Sequence, residues 1–332
     1  MNFLPLKNGM CIPAGDALVE LSDGKDVPGF VRIAGSYAIT AGHEVPLPIA
    51  QRNAHHHINN VRYQIPAEYR AAAFALTHPN YVVTGFGALA LYGLPFLANA
   101  CDTVLLSPSI ARGQPAGPLQ PQLARGTVPS HHLWKIRCRD KSIHVASPAW
   151  AVVQALTVVR RGLNGWSVLD CGGYEPSFVR AVQLIDASRR HLDIDPLAVL
   201  AASRNQLNLK WLTEVLVHSS ALADSPKETE MRLIVRRIAD EFGLILEEQV
   251  PVMRGNRLVT SFDLALIDPV SGKRFGLMYD GAHHSDRGQH LKDAAANLEA
   301  TVQDWVPIRF DSGTLASSYA TLHRYFTRAL RR

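Results

Sequence analysis

Two aspartates stand on what read as neighbouring strands. In "SFDLALI" (261–267) Asp263 lies between Ser261 and Ala265, opposite the apolar stripe Phe262, Leu264 and Leu266. In "RFGLMYDG" (274–281) Asp280 lies opposite Phe275, Leu277 and Tyr279, because strand side chains alternate with period two. The "DPVSGK" between them is rich in hairpin residues, so pairing of the two segments puts both carboxylates on one face, over the small Gly276. Carboxylates held together raise each other's pKa unless a cation compensates, and hard oxygen ligands suit Mg²⁺ or Mn²⁺. A shared ion would place Asp263 and Asp280 within bridging distance and would serve phosphodiester hydrolysis. His283 and His284 follow at once in "GAHHSD". Met278 occupies the same face, and a thioether does not replace a hard carboxylate ligand.

The elements that must position these residues begin at Ser225. Ser225 and Glu228 form a capping box around Pro226, a role that accounts for Glu228 without any further function. A helix follows, then strands over about 246–253, 258–267 and 273–281, a helix over about 287–303, the strand "WVPIRF" (305–310) and a closing helix from about 315. An antiparallel meander with a crossover strand and flanking helices is an α/β sandwich.

Upstream, residues 1–65 read as short strands and turns, and the triplet His55-His56-His57 as a solvated loop. A helix from Pro66 to Thr77 precedes a short strand, a Thr84 cap and a small-residue helix closed by Gly93 and Pro95. "DTVLLSPS" reads as a buried strand, and 111–130, with four prolines, as loop. "HHLWKIRCRDK" (131–141) alternates, setting Lys135, Arg137 and Arg139 in a row of cations roughly 7 Å apart that either tracks phosphates or forms a solvated face. Between Ala111 and Val145 the six cations Arg112, Arg125, Lys135, Arg137, Arg139 and Lys141 oppose Asp140 alone. Pro148–Arg161, Pro176–His191, Pro196–Asn205 and Leu209–His218 read as helices, three of them opening on proline. The expected organisation is α+β and multidomain: a β-rich region over 1–65, an α/β region over 66–147, a helical connection over 148–224 and the sandwich over 225–332.

Composition sets the outer bounds. The 332 residues are 47% hydrophobic and 19% charged, with net charge +5, a balance that permits nucleic acid as a partner. Cys11, Cys101, Cys138 and Cys171 form no CxxC pair, which suits a reducing, cytoplasmic setting rather than a zinc ribbon or disulfide framework. No secretory leader is evident, and "AWAVVQALTVV" is far shorter than the roughly 20 residues that span a bilayer, so no membrane partner is expected.

The ordered segments "SPKETEMR", "EEQVPV", "SFDLAL", "MYDGAHH", "KDAAANL" and "DWVPIRF" resemble the very-short-patch-repair-like branch of the PD-(D/E)xK restriction-endonuclease superfamily, over roughly 225–312. That resemblance implies a restriction-endonuclease-like sandwich, Mg or Mn as cofactor and DNA as partner. It makes Asp263 the metal-binding aspartate and Asp280 the polar residue in the motif's lysine place. It matches Glu228, His283, His284 and Asp293 to further active-site positions. Where the family has Glu-x-Asp-Gly this chain has Met278-Tyr279-Asp280-Gly281, and where it has Asp-x-x-Arg, Asp293 is followed by Ala296. Weak or absent cleavage is expected, raised by Met278→Glu with Ala296→Arg. Residues 73–96 and 143–156 resemble AbiEi-type antitoxin proteins of type IV toxin–antitoxin pairs, which implies a regulator with a cognate toxin, although 1–60 lack a helix-turn-helix. The combined expectation is a nucleic-acid-binding protein with a degenerate nuclease-like domain, of toxin–antitoxin or phage-defence type. An active metal-dependent endonuclease and a protein-binding scaffold are the alternatives.

Overall fold

A computed structural model describes residues 6–22, 27–280 and 287–330, by backbone alone over 287–294. The chain divides into two units, Met1–Ser167 with Arg180–Ala221, and Val168–Val179 with Leu222–Arg332. Each mixes helix and sheet, as the α+β expectation requires.

The first unit opens with strands β1 (Val19–Glu20), β2 (Phe30–Ala34) and β3 (Tyr37–Thr40), an antiparallel sheet in the order β1-β3-β2. The expectation of strands and turns alone over 1–65 needs correction, because α1 (Leu47–Ala54) starts where Pro46 and Pro48 preset helical entry. The reading of the histidine triplet as a solvated loop holds at the exposed His55 and is corrected at His57. His57 is 3% exposed, and its Nε2 lies 2.7 Å from Asp102. Tyr63 and Asn164 donate to the same carboxylate, and the wholly buried Arg70 stacks 3.8 Å over the Tyr63 ring while donating to the Ile65 and Cys101 carbonyls.

Next come α2 (Ala67–Thr77), β4 (Val82–Thr84), α3 (Gly85–Leu91), β5 (Val104–Ser107), β6 (Gln122–Arg125), β7 (Leu133–Cys138) and β8 (Lys141–Ala146), forming a sheet in the order β6-β5-β4-β8-β7. One sheet face is core, with Val83, Leu105, Ile136, Ile143 and Val145 buried, and α2, α3 and α4 (Pro148–Arg160) pack on the sheet. Small residues in α3 allow that approach: a Cβ on Gly87 would lie 3.1 Å from Val83 and 3.2 Å from Thr103. Strand β6 corrects the reading of 111–130 as loop throughout. Its four residues fall between Pro121 and Gly126 and pair in parallel with β5. Helices α5 (Pro176–Leu192) and α6 (Pro196–Ala202) start at the expected prolines and α7 (Leu209–Val217) at the expected Leu209, each ending within a few residues of the expected end.

The second unit runs α8 (Pro226–Phe242), β9 (Ile245–Arg254), β10 (Arg257–Ile267), β11 (Arg274–Tyr279), α9 (Arg287–Val302), β12 (Trp305–Phe310) and α10 (Ser318–Ala329). The sheet order is β12-β11-β10-β9; β9, β10 and β11 form an antiparallel meander, and the crossover through α9 lays β12 parallel to β11. Phe275 packs on Phe326 of α10, with ring centroids 4.9 Å apart, while Ala300 of α9 joins Phe262, Ala265 and Trp305 in an apolar cluster. Phe262 therefore departs from the expected stripe with Leu264 and Leu266. Its ring covers Gly276, where a Cβ would fall 2.3 Å away, and Gly276 pairs with Ala265. Among the described residues no helix is long and apolar enough to cross a membrane.

Candidate functional site

The two aspartates come to the place where the β10–β11 ladder opens. Regular pairing ends at Leu264↔Leu277, and beyond it the Tyr279 N–H donates to the Asp263 carboxylate at 2.7 Å. Gln249 on β9, whose backbone is left-handed (φ 52°), lines the same small cavity as Asp263. With Phe262 turned toward α9, Asp263 and Leu264 both border that cavity, of about 10 Å³ beside α8, lined as well by Glu228, Arg232 and Glu248. Burial pushes the Asp263 carboxyl above its ordinary range, with help from Asp224 and Asp280 and against the Tyr279 N–H.

Glu228 does complete the capping box. It accepts from the Ser225 hydroxyl and the Asp224 N–H, each at 2.9 Å, while the Ser225 hydroxyl accepts the Glu228 N–H at 3.3 Å. Burial raises its pKa, and neighbouring Asp263 adds to that. Asp280 is held differently: its N–H donates to the Phe310 carbonyl at 2.7 Å, and its carboxylate pairs with Arg309 at 2.8 Å. Arg309 stands beside Met278 in the parallel β11–β12 register and also reaches Asn297 on α9. Met278 itself packs against the apolar cluster of Val252, Phe262, Ala265, Ala300 and Trp305. His283 and His284 lie outside the described residues, as does the Asp293 side chain.

The described donors alone do not make a site for the implied Mg²⁺ or Mn²⁺. Among the described residues no three His, Cys, Asp or Glu side chains are grouped to hold an ion. Mg²⁺ demands an octahedral oxygen shell at about 2.1 Å and usually keeps several waters. The cavity at Asp263 has room for about one. Asp280 is already paired with a guanidinium, and Met278, partly buried, packs against the apolar cluster.

The expected cationic surface is likewise divided. Lys135 and Arg137 are exposed on β7, but Arg139 lies past the strand end in a left-handed turn (φ 58°) and donates to the Leu18 carbonyl at 2.6 Å. Lys141 donates to the Tyr37 hydroxyl at 2.8 Å. Arg125 is on β6, the opposite edge of the sheet from β7, and Arg112 precedes the residues that bridge to β6. Four strand spacings, about 19 Å, separate the two edges, so the six cations form no single row.

Sequence reasoning missed two features. Arg309 was hidden because a crossover strand's register is not written in its own residues. The second is a two-stranded ribbon. β10 pairs with β11 only over Leu264–Ile267 but with β9 from Ile267 back to Arg257, so Arg257–Ser261 and their β9 partners extend past the end of β11 by about 16 Å. Its tip is Arg254-Gly255-Asn256-Arg257, flanked by the exposed Met253 and Leu258. The Gly-Asn turn and the unequal strand lengths were the available signals.

No protein-family model, curated protein or solved structure matches this chain.

Proposed function

We propose that the chain binds nucleic acid, and that its second unit is a nuclease-like domain that has lost cleavage. The observation that carries this reading is the open end of the β10–β11 ladder, where Asp263 and Asp280 arrive and each is taken up by protein donors. A restriction-endonuclease-like assignment is supported by the order α8, three-stranded meander, α9 and parallel β12, with Asp263 within β10 and Asp280 just past the end of β11, the two central strands.

Carboxylates without a compensating metal repel phosphate, so contact must come from cations elsewhere. The β9–β10 ribbon offers Arg254 and Arg257 at its tip. Arg254 remains 73% exposed while reaching Glu299 at 3.2 Å. A two-stranded ribbon is one of the shapes that a DNA major groove admits. Lys135 and Arg137 supply a second, separate contact on β7. A role of toxin–antitoxin or phage-defence type, with a cognate toxin as partner, belongs to the same proposal and rests on the resemblances.

The test is duplex binding over a salt series, beside nicking of supercoiled plasmid with Mg²⁺ or Mn²⁺. Arg254→Gln with Arg257→Gln should flatten the salt dependence by about 0.9 per lost phosphate contact, while wild type leaves the plasmid intact. Binding that ignores salt would sink the reading. Metal-dependent nicking abolished by Asp263→Ala would replace it with an active endonuclease.

A further inference from the structure

The first unit holds a cleft of about 640 Å³, within the roughly 300–1,000 Å³ usual for small-molecule sites, and the nuclease-like reading makes no use of it. Tyr92 and Trp134 form one wall, their rings edge to face at 6.0 Å. The Tyr92 hydroxyl is spent on the Ala146 carbonyl at 2.7 Å, so this wall presents aromatic surface rather than a hydroxyl donor. The connection from α5 to α6 faces the cleft with His191 through Asp195. Leu192 and Ile194 are buried there, while Asp193 and Asp195 are exposed. Asp193 holds a left-handed backbone (φ 52°). Asp195 caps α6 through one carboxylate oxygen, which accepts the Leu197 N–H at 2.8 Å.

The charge of the lining decides the ligand class. In a chain of net charge +5, no lysine or arginine is among the described residues around this cleft, and two aspartates are. An indole face is the strongest aromatic partner for a cation, and its attraction grows where water is displaced. Apolar walls favour an organic body over a hydrated metal ion. We propose that this cleft binds a small organic cation, an ammonium group carried on a flat or apolar body, with Asp193 and Asp195 as counter-charges and Trp134 as the stacking surface.

The test titrates the full chain by calorimetry with three matched probes: 2-phenylethylammonium, 2-phenylethanol and phenylacetate. The ammonium should saturate one site and bind at least about tenfold more tightly than the alcohol, with phenylacetate weakest. Asp193→Asn with Asp195→Asn should erase the difference between ammonium and alcohol. Asparagine tolerates the left-handed backbone at 193 and keeps the helix cap at 195, so the variant should fold, as a circular-dichroism melt would confirm. Trp134→Leu should weaken the ammonium in the intact-aspartate background. Equal affinity for all three probes, no saturable ammonium binding at millimolar concentration, or unchanged discrimination in the Asn variant would each overturn the proposal.

Discussion

At the scale of single residues, Asp263 and Met278 show what the proposed loss of cleavage cost and gained. A buried carboxyl with a raised pKa makes the folded state bind more protons than the unfolded chain, between its unfolded and folded pKa values. Its stabilising share is complete below the unfolded value and lost as pH rises through the folded one. Asp263→Asn keeps an oxygen for the Tyr279 N–H and removes the charge. It should therefore raise the melting temperature at pH 7 and change it little at pH 4; a gain confined to the acid arm would contradict this account. Met278→Glu should do the reverse, because the new carboxylate would enter the Phe262–Trp305 cluster. A loss of about 1–3 kcal/mol in urea unfolding is expected. The plasmid should stay supercoiled even with Ala296→Arg, since Arg309 still holds Asp280. Cleavage regained by those two changes alone would show that the Arg309 pairing is incidental. The buried network of the first unit has the opposite sign. Burial by itself would raise Asp102, but hydrogen bonds from His57, Tyr63 and Asn164 hold it below the ordinary range. Its contribution is present above the unfolded pKa and lost as pH falls through the folded one. Asp102→Ala should cost about 3 kcal/mol near neutrality, and the gap to wild type should narrow in acid.

At the scale of elements, the two edges of the five-stranded sheet should act independently. Lys135→Gln with Arg137→Gln on β7 should lower the salt slope of duplex binding by about 1.8. The same changes at Arg112 and Arg125, on the far edge, should add no coupled effect; a shared loss would mean that the cations converge on one strand of nucleic acid. Much of this architecture was legible in the sequence. Proline at the first turn announced α4, α5 and α6, the capping box announced α8, and "WVPIRF" coincided with β12. The failures share a cause. Strand β6 is four residues among prolines, and its pairing with β5 and with Gln114 makes it a strand. Phe262 keeps its apolar character but changes face where the pleat is irregular opposite Gln249. His57 looked solvated because the acid that buries it stands 45 positions away. Local chemistry gave the elements; contacts distant in sequence decided which faces and edges they present.

At the scale of the whole molecule, the second unit is not a simple C-terminal piece, because it includes Val168–Val179. Glu230, fully buried, accepts the Leu169 N–H at 3.3 Å and pairs with Lys227 at 2.6 Å. Arg237 lies against Gly172, close enough that a Cβ there would sit 2.8 Å from it. A fragment beginning at Leu222 should melt earlier and less cooperatively than the same unit in the full chain. A synthetic 168–179 peptide should recover part of the loss in a concentration-dependent way. An identical melt with and without the peptide would show that this excursion is dispensable.

That excursion also imposes an order in time. A ribosome adds roughly 5–20 residues per second and domains fold as their pieces emerge. The 168–179 segment leaves the tunnel ahead of all of Arg180–Ala221 and well before α8, the helix that provides Glu230 and Arg237. Cys171, buried in the finished protein, is thus without that cover during the interval. Slower translation between the emergence of this segment and that of α8 would lengthen the interval.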